Sequence, residues 1–195
     1  MKHIFKLFII STILFFTTSA FGNQWKIDPD HSEVRFQVKH ILTTVSGTFN
    51  EFKGAINFDP QMPSKGKFDF TVNVKSVNTN NGKRDNHLKS KDFFYVDKFP
   101  EMTFTSTKVS HKIDNQYELE GKMSIKDVTK NITIAFEFLN PAPHPFEKKQ
   151  NVSGFITKFK IPRLDYHVGN GKFLKMGVVG EFVSVEIAVE ALTKK

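Results

Sequence analysis

Residues able to do acid–base or metal chemistry are thinly spread in this chain. His31, His40, His87, His111, His144 and His167 stand singly, none at the i, i+2 or i, i+4 spacing that sets two side chains on one face of a strand or helix. Spacing therefore offers no zinc-type pair, and no metal centre is expected. There is no Gly-x-Ser-x-Gly elbow, no His-Glu-x-x-His pair and no Gly-x4-Gly-Lys-Ser/Thr loop. Gly169-Asn170-Gly171-Lys172 is too short to cradle a phosphate and reads as a glycine-permitted hairpin turn. Asp28, Asp30, His31 and Ser32 could suggest acyl transfer. Short Asp and Ser side chains habitually bond the backbone of their own turn, however, and that is the expectation for this cluster. With no cysteine, the chain has no thiolate ligand, thiol nucleophile or disulfide. The chain reads as a binder rather than an enzyme, with no catalytic residue and no resident cofactor.

The elements that position these residues are strands. Apolar residues alternate with polar ones at Val34, Phe36, Val38; at Phe68, Phe70, Val72, Val74; at Leu119, Gly121, Met123, Ile125; at Ile132, Ile134, Phe136, Phe138; and at Val183, Val185, Ile187, Val189. Period two is the signature of a strand with one wet and one dry face. Weaker runs occur at 52–58, 102–108 and 155–161, and a short strand could start at Gln24, giving seven to nine strands in all. Turn signals at Asp59-Pro60, Pro63 to Gly66, Asp114-Asn115, Lys126 to Asn131 and Asn140 to Pro145 separate them. Such short links favour antiparallel neighbours. Between Val77 and Lys91, Asn and Thr capping candidates precede Arg84, His87, Leu88 and Lys91 at helical spacing, which predicts one short helix. The fold class expected is all-β.

Lys2 and Lys6, the ten apolar-rich residues Leu7 to Phe16, and the small and polar stretch to Gly22 have the order of a secretory signal peptide. The run is about half the ~20 apolar residues a spanning helix needs. Residues 1–22 are therefore expected to be removed on export, leaving 23–195 as one domain in the periplasm or outside the cell. The chain carries 28 basic against 20 acidic residues, spread without a block of consecutive like charge. That argues against nucleic acid and is compatible with a transient contact at an anionic membrane surface. Phenylalanine is abundant, 22 residues against one Trp and three Tyr, so the interior is aromatic and poor in hydrogen-bond donors. A barrel of about eight strands either fills with such side chains or holds one small ligand, and period two does not distinguish the two.

The run DPDHSEVRFQVKHILTTVSGTFNEF from Asp28 to Phe52 resembles the opening of the YceI-like family of periplasmic polyisoprenoid-binding proteins, with Asp28, His31-Ser32, Phe36, His40, Gly47, Phe49 and Phe52 at that family's spacing. Further blocks follow in order: Asn78-Thr79, Arg84-Asp85, His87-Leu88, Phe93-Phe94, Phe99-Pro100 and Phe104 to Ser106; then LEGKMSIKDVTKNITI; then IPRLDY and GEFVSVEIAVEA. They cover essentially all of 23–195. Asp127 and His167 depart from the pattern, each standing where the family commonly has Gly.

The resemblance implies an eight-stranded antiparallel lipocalin-like barrel with a helix in a long connection, holding a long-chain isoprenoid or fatty amphiphile. Phe36, Val38, Phe70, Val72, Phe104, Met123, Ile134 and Phe136, together with Phe94 and Phe159, are expected to line the tunnel. His40, Arg84, Asp85, Arg163, Asp165, Tyr166 and His167 are the rim candidates. Mutual Arg–Asp ion pairs that pin the helix over the barrel are the favoured reading of Arg84, Asp85, Arg163 and Asp165, and an Arg fork receiving a phosphate or quinone oxygen is the alternative. Rival readings are an outer-membrane barrel, which needs strands of about 9–11 residues where these runs are mostly shorter; an enzyme of isoprenoid or quinone metabolism using His40 or His167 as base; and a factor acting through a protein partner. A homodimer is compatible with the sequence.

Overall fold

The alternating runs become the staves of a closed barrel, because pairing the first strand with the last leaves every dry face turned inward. A computed structural model describes residues 23–195. The segment assigned to a signal peptide lies outside the described residues. In chain order the strands are β1 (Gln24–His40), β2 (Thr43–Phe49), β3 (Phe52–Asn57), β4 (Lys67–Asn73), β5 (Val77–Asn78), β6 (Glu101–Ile113), β7 (Gln116–Ile125), β8 (Val128–Phe138), β9 (Ala142–Pro143), β10 (Gln150–Pro162) and β11 (Val179–Lys194). β2 and β3 are successive halves of one stave, and β5 and β9 are two-residue attachments, which leaves eight staves. Closure is antiparallel, with Val34 opposite Ile187, Phe36 opposite Val185 and Val38 opposite Val183.

Because neighbours are antiparallel, His40, Asn73, Ile125 and Pro162 stand at one end, the upper rim, and Asn57, Ile113 and Phe138 at the other. The lower half is filled. Trp25, Phe58, Phe68, Tyr117, Phe136, Phe138 and Phe155 are all buried there, with ring centroids 5.0–6.4 Å apart and mostly edge-to-face. Trp25 Nε1–H donates to the carbonyl of Phe58 at 2.9 Å, so the indole's one polar group is satisfied. Each such aromatic pair adds about 0.5–1.5 kcal/mol beyond the area it buries.

The predicted helix is α1 (Gly82–Lys89), capped by Asn81, whose side chain accepts from the Arg84 N–H. Three local expectations are corrected. Lys126 to Asn131 is not a six-residue turn: β8 starts at Val128, and the chain reverses over Lys126 and Asp127, with Lys126 at φ 54°. The Gly169 to Lys172 segment is not a hairpin turn; it leads into a one-turn helix, α2 (Lys172–Lys175), with Gly169 and Gly171 in the left-handed region that glycine tolerates. The strands are also longer than the sequence runs, up to 17 residues in β1, so length does not separate this barrel from a membrane one. Orientation does: the inward face is apolar while the outward face carries Lys108–Glu120, Lys112–Glu118 and Lys158–Glu186 ion pairs, which a lipid-facing wall would not tolerate.

A bulge between Asp28 and Glu33 shifts the β1–β11 register. Ser32 secures it: its hydroxyl donates to the Asp28 carbonyl and accepts from the Glu190 N–H at 3.0 Å. Asp28 in turn accepts from the Asp30 N–H at 3.0 Å and from His31 Nδ1 at 2.9 Å, so the cluster bonds its own turn as expected. Ser32→Ala should lower stability by about 1–2 kcal/mol, since it leaves the Glu190 N–H unpaired at the closing seam. A urea midpoint unchanged from wild type would show that the bulge does not need this hydroxyl.

Candidate functional site

Above the aromatic plug the barrel is hollow. An apolar cavity of about 170 Å³ lies under the upper rim, walled by Phe36, Val38, Phe49, Val183, Val185 and their neighbours. A smaller chamber of about 70 Å³ lies below it, reaching down to Leu119, Ile134, Phe136 and Phe155. Phe70, Phe104, Met123, Phe159 and Ile187 line both, and so form the constriction between them. A void needs only about 10–15 Å³ to admit one water, so neither chamber is a packing defect; apolar cavities of this kind stay dry and accept hydrocarbon.

Local sequence explains the hollow. Phe36 lies opposite Gly47 on β2, and a Cβ there would stand 2.6 Å from the Phe36 ring. On β7, a Cβ on Gly121 would stand 2.4 Å from the Phe104 ring. The glycines let these rings lie flat against the wall instead of standing into the lumen.

All ten residues expected to line the tunnel do face one chamber or the other: Phe36, Val38, Val72 and Phe94 the upper, Ile134 and Phe136 the lower, and Phe70, Phe104, Met123 and Phe159 both. The sequence reading missed Val34, Phe49, Leu88, Phe93, Met102, Ile161, Val168 and Val179. Val34 sat in a recognised run and carried the signal. Leu88, Phe93 and Val168 come from connections, where no period marks the inward side.

The rim group is organised differently from the expected Arg–Asp pairs. Arg84 Nε and Nη2 donate to Oγ1 (2.7 Å) and the carbonyl (2.8 Å) of Thr79, while the Thr79 N–H donates to Asp85 at 2.9 Å. The buried threonine thus stands between the two charges. Arg163 is buried on the cavity wall and, among the described residues, pairs with no carboxylate: Nε donates to Gly180 (2.7 Å), Nη1 to Val168 (2.8 Å) and Nη2 to Val179 (3.2 Å), all carbonyls. It clamps the connection between β10 and β11 onto the start of β11. Burial pulls its pKa below the ordinary value, though a guanidinium stays charged. Tyr166 also lines the cavity, and burial raises its phenol. Asp165 is exposed and receives Lys130 Nζ at 2.6 Å.

His40 ends β1 half-buried and off the cavity wall. His167, in the left-handed region at φ 55°, places Nδ1 3.1 Å from Asp127, whose carboxyl that bond holds below the usual range. The contact is thus kept above that range and released as acid protonates Asp127. Neither histidine reaches the cavity to act as a base. Among the described residues, one group could approach a metal, Asp28, His31 and Glu190, but His31 Nδ1 is already bonded to Asp28, with Glu190 4.0 Å from the same nitrogen, and the trio is a surface ion-pair cluster. That bond raises the His31 pKa.

Lys126 Nζ donates to the carbonyls of Phe93 (2.8 Å) and His167, tying the β7–β8 turn to both mouth connections. The contact matters because β8 and β10 pair over only three residues each, Phe136 to Phe138 with Phe155 to Thr157. Above that point, the Lys130–Asp165 and Asp127–His167 contacts hold the seam.

Comparison with known proteins agrees with this geometry. Residues 25–191 match the YceI-like domain. The chain is 34% identical over 191 residues to Protein YceI of Salmonella arizonae and of Salmonella paratyphi B, covering 96% of both chains in each case. Among solved structures, the Campylobacter jejuni YCEI protein is 31% identical with a TM-score of 0.69, over 80% of this chain and 90% of that one. Burkholderia cenocepacia BcnA gives a TM-score of 0.78 at 22% identity, over 85% and 99%. A polyisoprenoid binding domain from Saccharophagus degradans, implicated in plant cell wall breakdown, gives 0.62 at 13% identity, over 87% and 98%. The last two likenesses show the fold alone.

Two substitutions test the site's construction. Arg163→Met leaves three inward carbonyls without their donor and should cost about 3 kcal/mol or more in urea unfolding; a variant as stable as wild type would show that the clamp is dispensable. Gly121→Ala should cost about 1–3 kcal/mol by forcing the Phe104 ring off the wall, with the thermal midpoint as readout.

Proposed function

The chain belongs to the YceI-like family, and from that premise we propose that it is a binding and carrier protein for a long-chain amphiphilic lipid, of isoprenoid or fatty type, held in the two chambers and not chemically altered. The observation that carries this reading is the pair of adjacent apolar chambers that share five lining residues, closed below by packed rings and roofed by α1 and the β10–β11 connection. The binding described for the Saccharophagus degradans domain supports the isoprenoid class. The leader-like residues 1–22 support a periplasmic or secreted location.

Energetics favour the reading. Moving a methylene from water into an apolar site gains about 0.8 kcal/mol, so a chain of ~20 carbons needs no polar contact to bind. A headgroup stays at the rim, because the chamber walls are almost wholly apolar and Arg163, fixed there by three of its five N–H donors, is held by backbone carbonyls.

Native mass spectrometry of protein purified without detergent from a bacterial host, followed by organic extraction, should release one unmodified long-chain amphiphile per chain. Ile187→Trp, at the constriction, should retain the fold and lose most of that lipid. Protein that stays empty and takes up neither a prenyl phosphate nor an isoprenoid quinone on titration would overturn the proposal.

A further inference from the structure

The upper rim, beside the roofed chamber, carries an apolar tip that no described residue covers. Leu42, at the β1–β2 turn, is 92% exposed, Ile41 beside it 51%, and Met176, at the end of α2, 61%. They share one edge of the rim, since the Ile41 N–H donates to the Val178 carbonyl at 3.0 Å. That edge adjoins the upper chamber: Val38 and Val179, a few residues away, line it. Lys39, Lys172 and Lys175 stand around the tip, exposed and with no ion-pair partner among the described residues. Glu181 is the acidic residue of this edge and lies toward Arg163. Phe173 faces the other way, stacked on Phe93 at 5.8 Å, which holds α2 with its lysines outward.

We propose that this edge is a docking surface for an anionic lipid bilayer, with Leu42, Ile41 and Met176 entering the headgroup region and the lysines meeting its negative charge. Exposed apolar side chains ringed by Lys are what an interfacial contact requires, and each Lys near an anionic surface adds attraction that salt weakens. The charge complementarity selects a membrane over a second copy of this basic chain. Docking there sets the mouth against the bilayer, so a lipid passes between membrane and tunnel without crossing water. The surface has this use only if the carrier reading holds.

The closed end provides a competitor within the same molecule. Phe146 is 87% exposed there, beside Lys148 and Lys149, but the aromatic plug separates it from the chambers. Sedimentation of full-length mature protein with phosphatidylcholine–phosphatidylglycerol vesicles, and with phosphatidylcholine alone, compares wild type, a Leu42→Asp/Met176→Asp double variant and Phe146→Asp. The expected result is binding to the mixed vesicles that weakens with salt, drops at least about tenfold in the double variant and persists in Phe146→Asp.

Absence of wild-type binding, equal binding by the double variant, or loss in Phe146→Asp alone would overturn the proposal. So would a wild-type dimer, seen by analytical ultracentrifugation, that the double variant dissociates. Native mass spectrometry on the same samples separates the two readings. Retained lipid without vesicle binding removes only the docking surface, whereas vesicle binding through Leu42 and Met176 by a protein that takes up no lipid removes the carrier reading.

Discussion

Pairing of β1 with β11 is the interaction on which the rest of the molecule depends. An open sheet of these staves would expose two rows of unpaired backbone groups and one apolar face. Closure removes most of both at once and turns the apolar face inward, leaving the β8–β10 seam above Phe136 to side-chain contacts. It also fixes what each inward residue meets, because Val34, Phe36 and Val38 on β1 come opposite Ile187, Val185 and Val183 on β11. The Asp28–Glu33 bulge, secured by Ser32, is where the long first strand turns from the filled lower half toward the hollow upper half.

Two kinds of inward residue divide the lumen. Below, rings meet edge to face across the barrel and fill it. Above, Val, Ile and Met side chains share the wall with Phe rings that leave the centre open, and Phe36 and Phe104 among them lie against Gly47 and Gly121. The upper end also has the long connections, and these are bound by cations donating to backbone: Arg163 to Val168, Val179 and Gly180, and Lys126 to Phe93 and His167. Such a roof stays polar toward its own chain and leaves the cavity wall apolar.

The all-β class and the inward face of most staves were legible because period-two alternation is imposed by burial on one side of a strand, while the eight-stave barrel was implied by the family resemblance. Legibility failed where an inward position holds no large apolar side chain. β2 escaped notice because Gly47 occupies its central inward place, the room being used by Phe36 from the neighbouring strand. β10 read weakly because Thr157 faces inward opposite Phe136. The rim failed for a different reason: Arg163 is satisfied by carbonyls, which carry no residue identity, so its type suggested a carboxylate partner that the fold does not supply. Asp127 and His167 show the opposite case. The two places where the sequence departs from the family pattern are 40 residues apart and bond to each other across the seam.

The division of the lumen bears on how such a barrel could tell one apolar chain from another. Along a smooth apolar wall each methylene changes affinity by about fourfold, which grades chain lengths without separating them. A wall that ends sharply behaves otherwise. A chain that has passed Phe70, Phe104, Met123, Phe159 and Ile187 next meets rings that are packed against one another. Parting even two of those pairs costs about 1–3 kcal/mol, and the cavity that separation opens costs more, while the next methylene returns about 0.8 kcal/mol. The balance therefore turns unfavourable at the plug, within one or two carbons. Selection by length, on this argument, is set by the position of the aromatic floor relative to the mouth and owes little to any contact along the tunnel.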